Sequence, residues 1–258
     1  MTRTDDLALY CSLGFNTVYV DVPVETGGTD PRVREFVAAA KSRGLSVIIG
    51  LPMALGRDPT DLRDPVSPLN DGYLDDLDRF VYSVVGTYGG DPAVVGWGLQ
   101  HGPAYAITYS DRDLRAYLRR MYSSVAQLNA AWGKRLRDFD SARLESARGD
   151  VEQPFGVGRA SLDIADYKRA AFEDLHRAWA RTVRKFDDSR PIFSGRQTRP
   201  RNLVSLPDEV DYVVPDLQAM TSASGGQGLR LEAISIARRA GRFEVVPALP
   251  VPPSEGFE

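Results

Sequence analysis

Apolar residues alternate along the chain between short β-rich runs and longer stretches with helical spacing. The β-rich runs predict buried strands near 16–22, 46–52, 94–100, 191–196, 211–217 and 243–249. Between them, apolar residues three and four positions apart predict helices at about 4–13, 31–43, 73–88, 111–122, 124–132, 162–187 and 229–240. Because strands and helices alternate, the sequence predicts βαβ units around a parallel sheet.

Two of the predicted helices carry clear end signals. Asp30 and Pro31 supply a cap and a proline at the first helical position, and Gly44 follows that helix. The segment Ser124-Val-Ala-Gln127 has the spacing of a capping box, and Gly133 stops the helix that it opens.

The strand pattern favours an α/β fold of the TIM-barrel type, with parallel strands and helices outside. A closed barrel of this type needs eight strands, and the sequence predicts six, so we expect an incomplete barrel. The alternative is an open doubly wound sheet, but no glycine-rich phosphate loop follows the first strand. We interpret residues 1–258 as one domain with a helical insert at about 103–160.

Composition and charge exclude several classes of function. The formal net charge is −3 and the basic residues are interspersed with acidic ones, so we expect no nucleic-acid partner. A single cysteine, Cys11, and two histidines, His101 and His176, predict no metal site, and no cofactor motif is present. No apolar run approaches a membrane span and no signal peptide opens the chain, so we expect no membrane partner and a cytoplasmic location.

Five segments resemble the β-galactosidases of glycoside hydrolase family 42, in clan A. Residues 88–103, Tyr-Gly-Gly-Asp-Pro-Ala-Val-Val-Gly-Trp-Gly-Leu-Gln-His-Gly-Pro, are similar to the strand-four segment of that family. Leu13-Gly-Phe-Asn-Thr-Val18 resembles the approach to its strand two, and Leu128-Asn-Ala-Ala-Trp-Gly133 resembles the end of its helical insert. Ser161-Leu-Asp163 and Arg190-Pro191 resemble the approach to strand five. The resemblance implies that the six predicted strands correspond to strands two to seven of the barrel.

The same resemblance implies that the catalytic carboxylates are missing. A retaining glycosidase uses two carboxyl groups about 5–5.5 Å apart, one as acid/base and one as nucleophile. Gly102 stands at the position of the family's acid/base glutamate, and Pro247 lies near the position of its nucleophile. Neither side chain carries a carboxyl group. The resemblance therefore implies a glycosidase-like barrel without catalysis that retains at most carbohydrate binding or a structural role.

In such barrels the loops after the strands build the site. The polar or aromatic residues at or just after predicted strand ends are Asp21, Gln100, His101, Tyr105, Arg196 and Asp216. Carboxylate, amide and imidazole groups suit sugar hydroxyls, and an aromatic ring suits the apolar face of a sugar. Alternatively, these side chains brace one another and bind nothing.

Two further interpretations stay open. The chain is an active O-glycosyl hydrolase if relocated carboxylates from Asp21, Asp216 and Glu25 take over the chemistry. It is an assembly component if a partner chain or a missing domain completes the barrel. Two tryptophans are interpreted as structural, Trp97 in the core and Trp132 in the insert, and Cys11 as a buried small hydrophobe.

Overall fold

Five parallel strands form a single sheet in the part of the chain that the structure describes. The structure is a computed structural model, and it describes residues 4, 6–58, 60–100, 107–147, 158–197 and 207–215. The strands are β1 Thr17–Asp21, β2 Ser46–Pro52, β3 Val94–Gln100, β4 Ile192–Gln197 and β5 Tyr212–Pro215. They pair in sequence order, each parallel to the next, which confirms the predicted topology. The strand predicted at 243–249 and the helix at 229–240 lie outside the described residues.

Helices connect the strands. They are α1 Asp6–Ser12, α2 Pro31–Ser42, α3 Asp71–Tyr88, α4 Asp111–Met121, α5 Val125–Trp132 and α6 Arg159–Phe186, with short 3₁₀ turns at Gly27–Thr29, Phe139–Ser141 and Leu144–Ala147. Six of the predicted helices are therefore confirmed, with shifted ends. The α6 helix begins at Arg159, before the predicted 162, and Arg159 pairs with the Asp163 carboxylate one turn later at 2.8 Å.

The predicted helix ends form with one difference in detail. The Asp30 carboxylate accepts a hydrogen bond from the Arg32 backbone N–H at 2.8 Å, and Ser124 Oγ accepts one from the Gln127 N–H at 3.3 Å. The Gln127 side chain reaches back to the N–H of Ser123, one residue earlier than a capping box requires. The bonds to the Arg32 and Gln127 N–H groups satisfy donors that the start of a helix leaves open.

The sheet has two chemically distinct faces. The outer face packs against the helices through buried residues such as Val18, Val20, Ile49, Leu51 and Trp97. The inner face carries a smaller cluster of Ile48 and Phe193 with Tyr19, Val95 and Tyr212 packed against it. Because all five strands are parallel, their carboxyl ends lie along one edge, which we call the mouth; it runs from Asp21 through Pro52, Gln100 and Gln197 to Pro215.

The insert has a core of its own. Buried Leu114, Leu118 and Leu128 of α4 and α5 pack with Ile164 and Tyr167 in the first half of α6. This packing joins α4 and α5, which belong to the predicted insert, to the first half of α6.

Candidate functional site

Two polar side chains of β1 point to the inner face near the mouth. Successive side chains of a strand point to opposite faces. Because Val18 and Val20 are buried against the helices, Tyr19 and Asp21 lie on the inner face. Asp21 ends the strand and is exposed, whereas Tyr19 is half-buried. Among the strand residues whose side chains are described, Asp21 is the acidic residue on this face.

Glycines on the two neighbouring strands make room for these side chains. A Cβ atom on Gly50 of β2 would overlap the Asp21 carboxylate and lie 2.5 Å from Cε1 of Tyr19. A Cβ atom on Gly98 of β3 would overlap the hydroxyl of Tyr19 and lie 2.5 Å from its Cε2. The Tyr19 ring therefore crosses β2 and reaches β3, and the Asp21 carboxylate sits against the bare backbone of Gly50.

Strand register relates Asp21 to the next predicted site residue. Asp21 pairs with Gly50, Gly50 pairs with Gly98, and Gln100 lies two residues further along β3. Two strand spacings and two residue steps put the Cα atoms of Asp21 and Gln100 roughly 12 Å apart.

The other predicted site residues are described less fully. The backbone of Arg196 belongs to β4 and pairs with Val214 of β5, so it too lies near the mouth. His101, Tyr105 and Asp216 lie outside the described residues, as do Gly102 and Pro247. Glu25 is exposed in the segment after β1, at the same end of the strand as Asp21.

The segment that follows β2, which forms one wall of the mouth, is held in place by the buried hydroxyl group of Tyr73. Tyr73 of α3 donates a hydrogen bond to the Met53 carbonyl at 2.6 Å, just after β2 ends. The same hydroxyl accepts a hydrogen bond from Nε1 of Trp179 in α6, also at 2.6 Å. Burial raises the pKa of Tyr73, so the phenol stays protonated and keeps its donor.

An arginine and two acids hold the next part of this wall. The Arg57 guanidinium contacts the carboxylates of Asp64, at 2.9 Å, and Asp76, and it lies 5.3 Å from the centre of the Tyr73 ring. The hydrogen bond from Arg57 lowers the pKa of Asp76. These charges are committed to one another, so we assign them to bracing the wall rather than to a ligand.

The loops after β2 and β3 are also joined directly. The Val66 N–H donates to the Thr108 hydroxyl at 2.9 Å, and the Thr108 N–H donates to the Val66 carbonyl at 3.1 Å. One residue on, the Ser67 hydroxyl donates to the buried Asp113 carboxylate at 2.9 Å. The mouth is therefore bordered on this side by a preformed wall.

The residues that carry the resemblance are structural where the structure describes them. Trp97 is fully buried, and its Nε1 donates to Asp187 at 2.9 Å, which confirms its place in the core. Trp132 is buried in the insert, and its Nε1 donates to Asp163 at 2.8 Å, which confirms its structural role. Cys11 is only partly buried, although it packs against the main core as a small hydrophobe.

Two more motif residues hold backbone in place. Asn129 exchanges two hydrogen bonds with the backbone of Leu136, at 2.7 and 2.9 Å, and so fixes the loop after α5. Arg190 Nε donates at 2.8 Å to the carbonyl of Val94, where β3 begins. These motif residues therefore hold together the architecture of the described part of the chain.

Three inner-face residues were not predicted from the sequence: Tyr19, Gly50 and Gly98. The glycines inside two strongly apolar predicted strands could have indicated these positions. A glycine within a strand often marks the close approach of another group. The identity of that group depends on strand register, which the sequence does not show.

No protein-family model matches the chain, and a search of the curated proteins finds no match either. Solved structures do match. The catalytic domain of the β-amylase from Paenibacillus polymyxa superposes with a TM-score of 0.72 at 15% identity, covering 96% of this chain and 82% of that one. The β-galactosidase of the psychrophilic Marinomonas ef1 has a TM-score of 0.60 at 18% identity, covering 83% and 38%. The β-galactosidase of the haloarchaeon Halorubrum lacusprofundi has a TM-score of 0.61 at 17% identity, covering 83% and 37%.

These similarities show the fold: the chain has the (β/α)-barrel architecture found in the catalytic domains of glycoside hydrolases. Agarases are also among the structures that match, so the similarity is not confined to β-galactosidases. The chain spans less than two fifths of the length of the two β-galactosidases. Within the described residues, no helix is both long enough and apolar enough to cross a bilayer.

Proposed function

We propose that this chain is a β-galactosidase-like barrel that binds carbohydrate at its mouth without hydrolysing it. The observation that carries the proposal is that, in the resemblance to family 42, no carboxyl group stands at either catalytic position. Gly102 stands at the acid/base position, and Pro247 lies near the nucleophile position. A glycine can neither protonate a leaving oxygen nor activate water, and a proline cannot attack an anomeric carbon.

The inner-face position of Asp21 supports a retained sugar site. A carboxylate held against a glycine backbone accepts hydrogen bonds from hydroxyl groups, and one carboxylate alone does not support double displacement. The proposed ligand-binding set is Asp21, Gln100, His101, Tyr105, Arg196 and Asp216. No cofactor and no metal ion takes part in this proposal.

Hydrolysis of aryl β-galactosides tests the loss of catalysis. Purified protein is expected to release the aryl group no faster than a matched blank. Loss of one catalytic group from a glycosidase costs several orders of magnitude in rate, where each ~1.4 kcal/mol of barrier is a factor of ten. Robust turnover that disappears in Asp21→Ala or Asp216→Ala would contradict the proposal.

That result would establish the second candidate, an active O-glycosyl hydrolase with relocated carboxylates. The inner-face position of Asp21 favours it, and Asp216 and Glu25 are the proposed partners. A retaining mechanism needs a separation of about 5–5.5 Å between the two carboxyl groups, and an inverting one about 6.5–9.5 Å. The stereochemistry of the first product, followed by NMR, distinguishes the two mechanisms.

A third candidate is an assembly component. The share of the β-galactosidases that the chain spans, 38% and 37%, supports the proposal that a further domain or a partner chain accompanies this barrel. Light scattering coupled to size-exclusion chromatography tests this candidate. The alternative is a chain that folds alone and stays monomeric at high concentration.

A further inference from the structure

A second concave feature lies at the opposite edge of the sheet from the mouth. An open cleft of about 340 Å³ separates the last turns of α3 and α6 from the segment before β4, within the size range of about 300–1,000 Å³ typical of small-molecule sites. Its lining includes Tyr82, Gly86, Phe186, Asp187, Asp188 and Arg190. Because Arg190 also bonds to Val94, the first residue of β3, this cleft lies where the strands begin.

Two exposed aromatic rings border the cleft. Tyr82 is 66% exposed and Phe186 is 40% exposed, although both belong to helices whose other apolar residues are largely buried. Their ring centres are 5.5 Å apart at an angle of 63°, an edge-to-face pair that holds both rings in place. An aromatic pair left open to water at the rim of a cleft is typical of a binding surface.

A glycine of α3 lines the cleft without contacting any neighbouring group. Gly86 lies inside α3, where glycine costs about 0.5–1 kcal/mol relative to alanine. A Cβ atom built there would meet nothing within 4 Å, in contrast to Gly89 nearby, where a Cβ atom would lie 2.6 Å from the Val85 carbonyl oxygen. Gly86 is exposed and lines the cleft, so a larger side chain at this position would project into open space there.

The charges of the cleft favour a neutral ligand. Asp187 and Arg190 form an ion pair at 3.0 Å, and Asp187 also accepts the hydrogen bond from Trp97, so both charges are committed to the fold. The Asp188 residue is exposed at the rim. One remaining carboxylate beside two aromatic rings gives hydrogen-bond acceptors and an apolar platform without a strong net charge.

We propose that this cleft is a second carbohydrate-binding site. Tyr82 and Phe186 contact the apolar face of a sugar ring, Gly86 provides the space for it, and Asp188 accepts hydrogen bonds from its hydroxyl groups. This site is separate from the mouth and goes beyond the proposed function, because it requires neither Asp21 nor any residue of the catalytic positions.

The test is a titration followed by ¹³C-methyl NMR, with lactose, maltotriose and neoagarotetraose as the probes. Val85 lines the cleft and reports on it, whereas Val22 directly follows Asp21 at the carboxyl end of β1 and reports on the mouth. At least one probe is expected to shift the Val85 methyl signals in a saturable way at millimolar concentration. Tyr82→Ala is expected to weaken that binding at least tenfold, and Gly86→Leu, which fills the cleft while keeping both rings, is expected to abolish it.

Matched controls separate this site from general stickiness and from the mouth. Phe15 and Tyr10 form another edge-to-face pair, with Phe15 38% exposed, so Phe15→Ala is expected to leave the Val85 titration unchanged. Asp21→Asn is likewise expected to leave it unchanged while altering any titration seen at Val22. Absence of saturable shifts at Val85 up to tens of millimolar, or equal binding by Gly86→Leu, would overturn the proposal. Val85 shifts that depend on protein concentration rather than on sugar would also overturn it, by identifying the face as a contact between copies of the chain.

Discussion

The buried carboxylate of Asp163 offers a sharp test of how the insert is attached to the barrel. Asp163 lies in the first turns of α6 and is 2% exposed. It accepts hydrogen bonds from Trp132 Nε1 at 2.8 Å and from the Tyr122 hydroxyl, and it pairs with Arg159 at 2.8 Å. Asp163→Ala removes the acceptor that all three donors share.

The magnitude follows from the burial of each donor. The Trp132 side chain is 6% exposed and Tyr122 is half-buried, so both lose an acceptor without full access to water. An unsatisfied buried donor costs about 1–3 kcal/mol, and the half-exposed Arg159 returns to water at little cost, so we expect a destabilisation of about 2–4 kcal/mol. Asp163→Asn keeps one acceptor oxygen for the two ring donors and is expected to cost about 1 kcal/mol.

Urea denaturation followed by tryptophan fluorescence measures both variants. A double-mutant cycle with Trp132→Phe serves as the internal control, because the tryptophan substitution should cost less in the Asp163→Ala background than in the wild type, by about 1 kcal/mol or more. A loss below 1 kcal/mol for Asp163→Ala, or additive effects in the cycle, would refute the claim that this carboxylate joins the insert to α6.

Three further predictions concern the sheet and its two edges. Gly98→Ala is expected to lower the free energy of unfolding by about 1–3 kcal/mol because its methyl group would overlap the Tyr19 ring. The control is Gly90→Ala, where a Cβ atom meets nothing within 4 Å. Equal effects of the two substitutions in urea denaturation would contradict this reasoning. Tyr73→Phe should cost about 2–4 kcal/mol, because a buried carbonyl and a buried indole each lose a partner; an unchanged denaturation midpoint would contradict it. For Asp187, burial opposes ionisation, but hydrogen bonds from Ser189 and neighbouring donors outweigh it and hold the pKa below the usual range. Its carboxylate therefore stabilises the fold above about pH 4 and loses that contribution as the pH falls lower. Asp187→Asn should flatten the acid limb of a plot of unfolding free energy against pH. An unaltered acid limb would contradict this role of Asp187.

Local patterns were enough to predict the architecture. The apolar runs at 46–52 and 94–100 coincide with β2 and β3, because buried parallel strands read as continuous apolar segments whatever their neighbours are. The cap at Asp30 and the stop at Gly133 formed as predicted, since both depend only on residues within one turn.

Features that depend on distant pairing could not be predicted. The contact of Tyr19 with Gly98 requires the register of three strands, and no local pattern encodes it. The role of Asp163 likewise depends on partners 31 and 41 residues away in the chain. The resemblance pointed to the barrel and to the positions of the missing carboxylates, but residues kept for packing, such as Trp97, carry much of that resemblance and say little about chemistry.

The most direct test of the central claim is a titration of the mouth with galactose and aryl galactosides, followed by calorimetry and NMR. Wild type, Asp21→Asn and His101→Ala are compared, with Tyr82→Ala as a control that alters only the opposite edge. A sugar-binding barrel without catalysis predicts saturable binding in the millimolar range that is weakened at least several-fold by Asp21→Asn and by His101→Ala, with the galactoside recovered intact. Absence of binding at tens of millimolar, or binding unaffected by both substitutions, would contradict the claim and leave the barrel with a structural role.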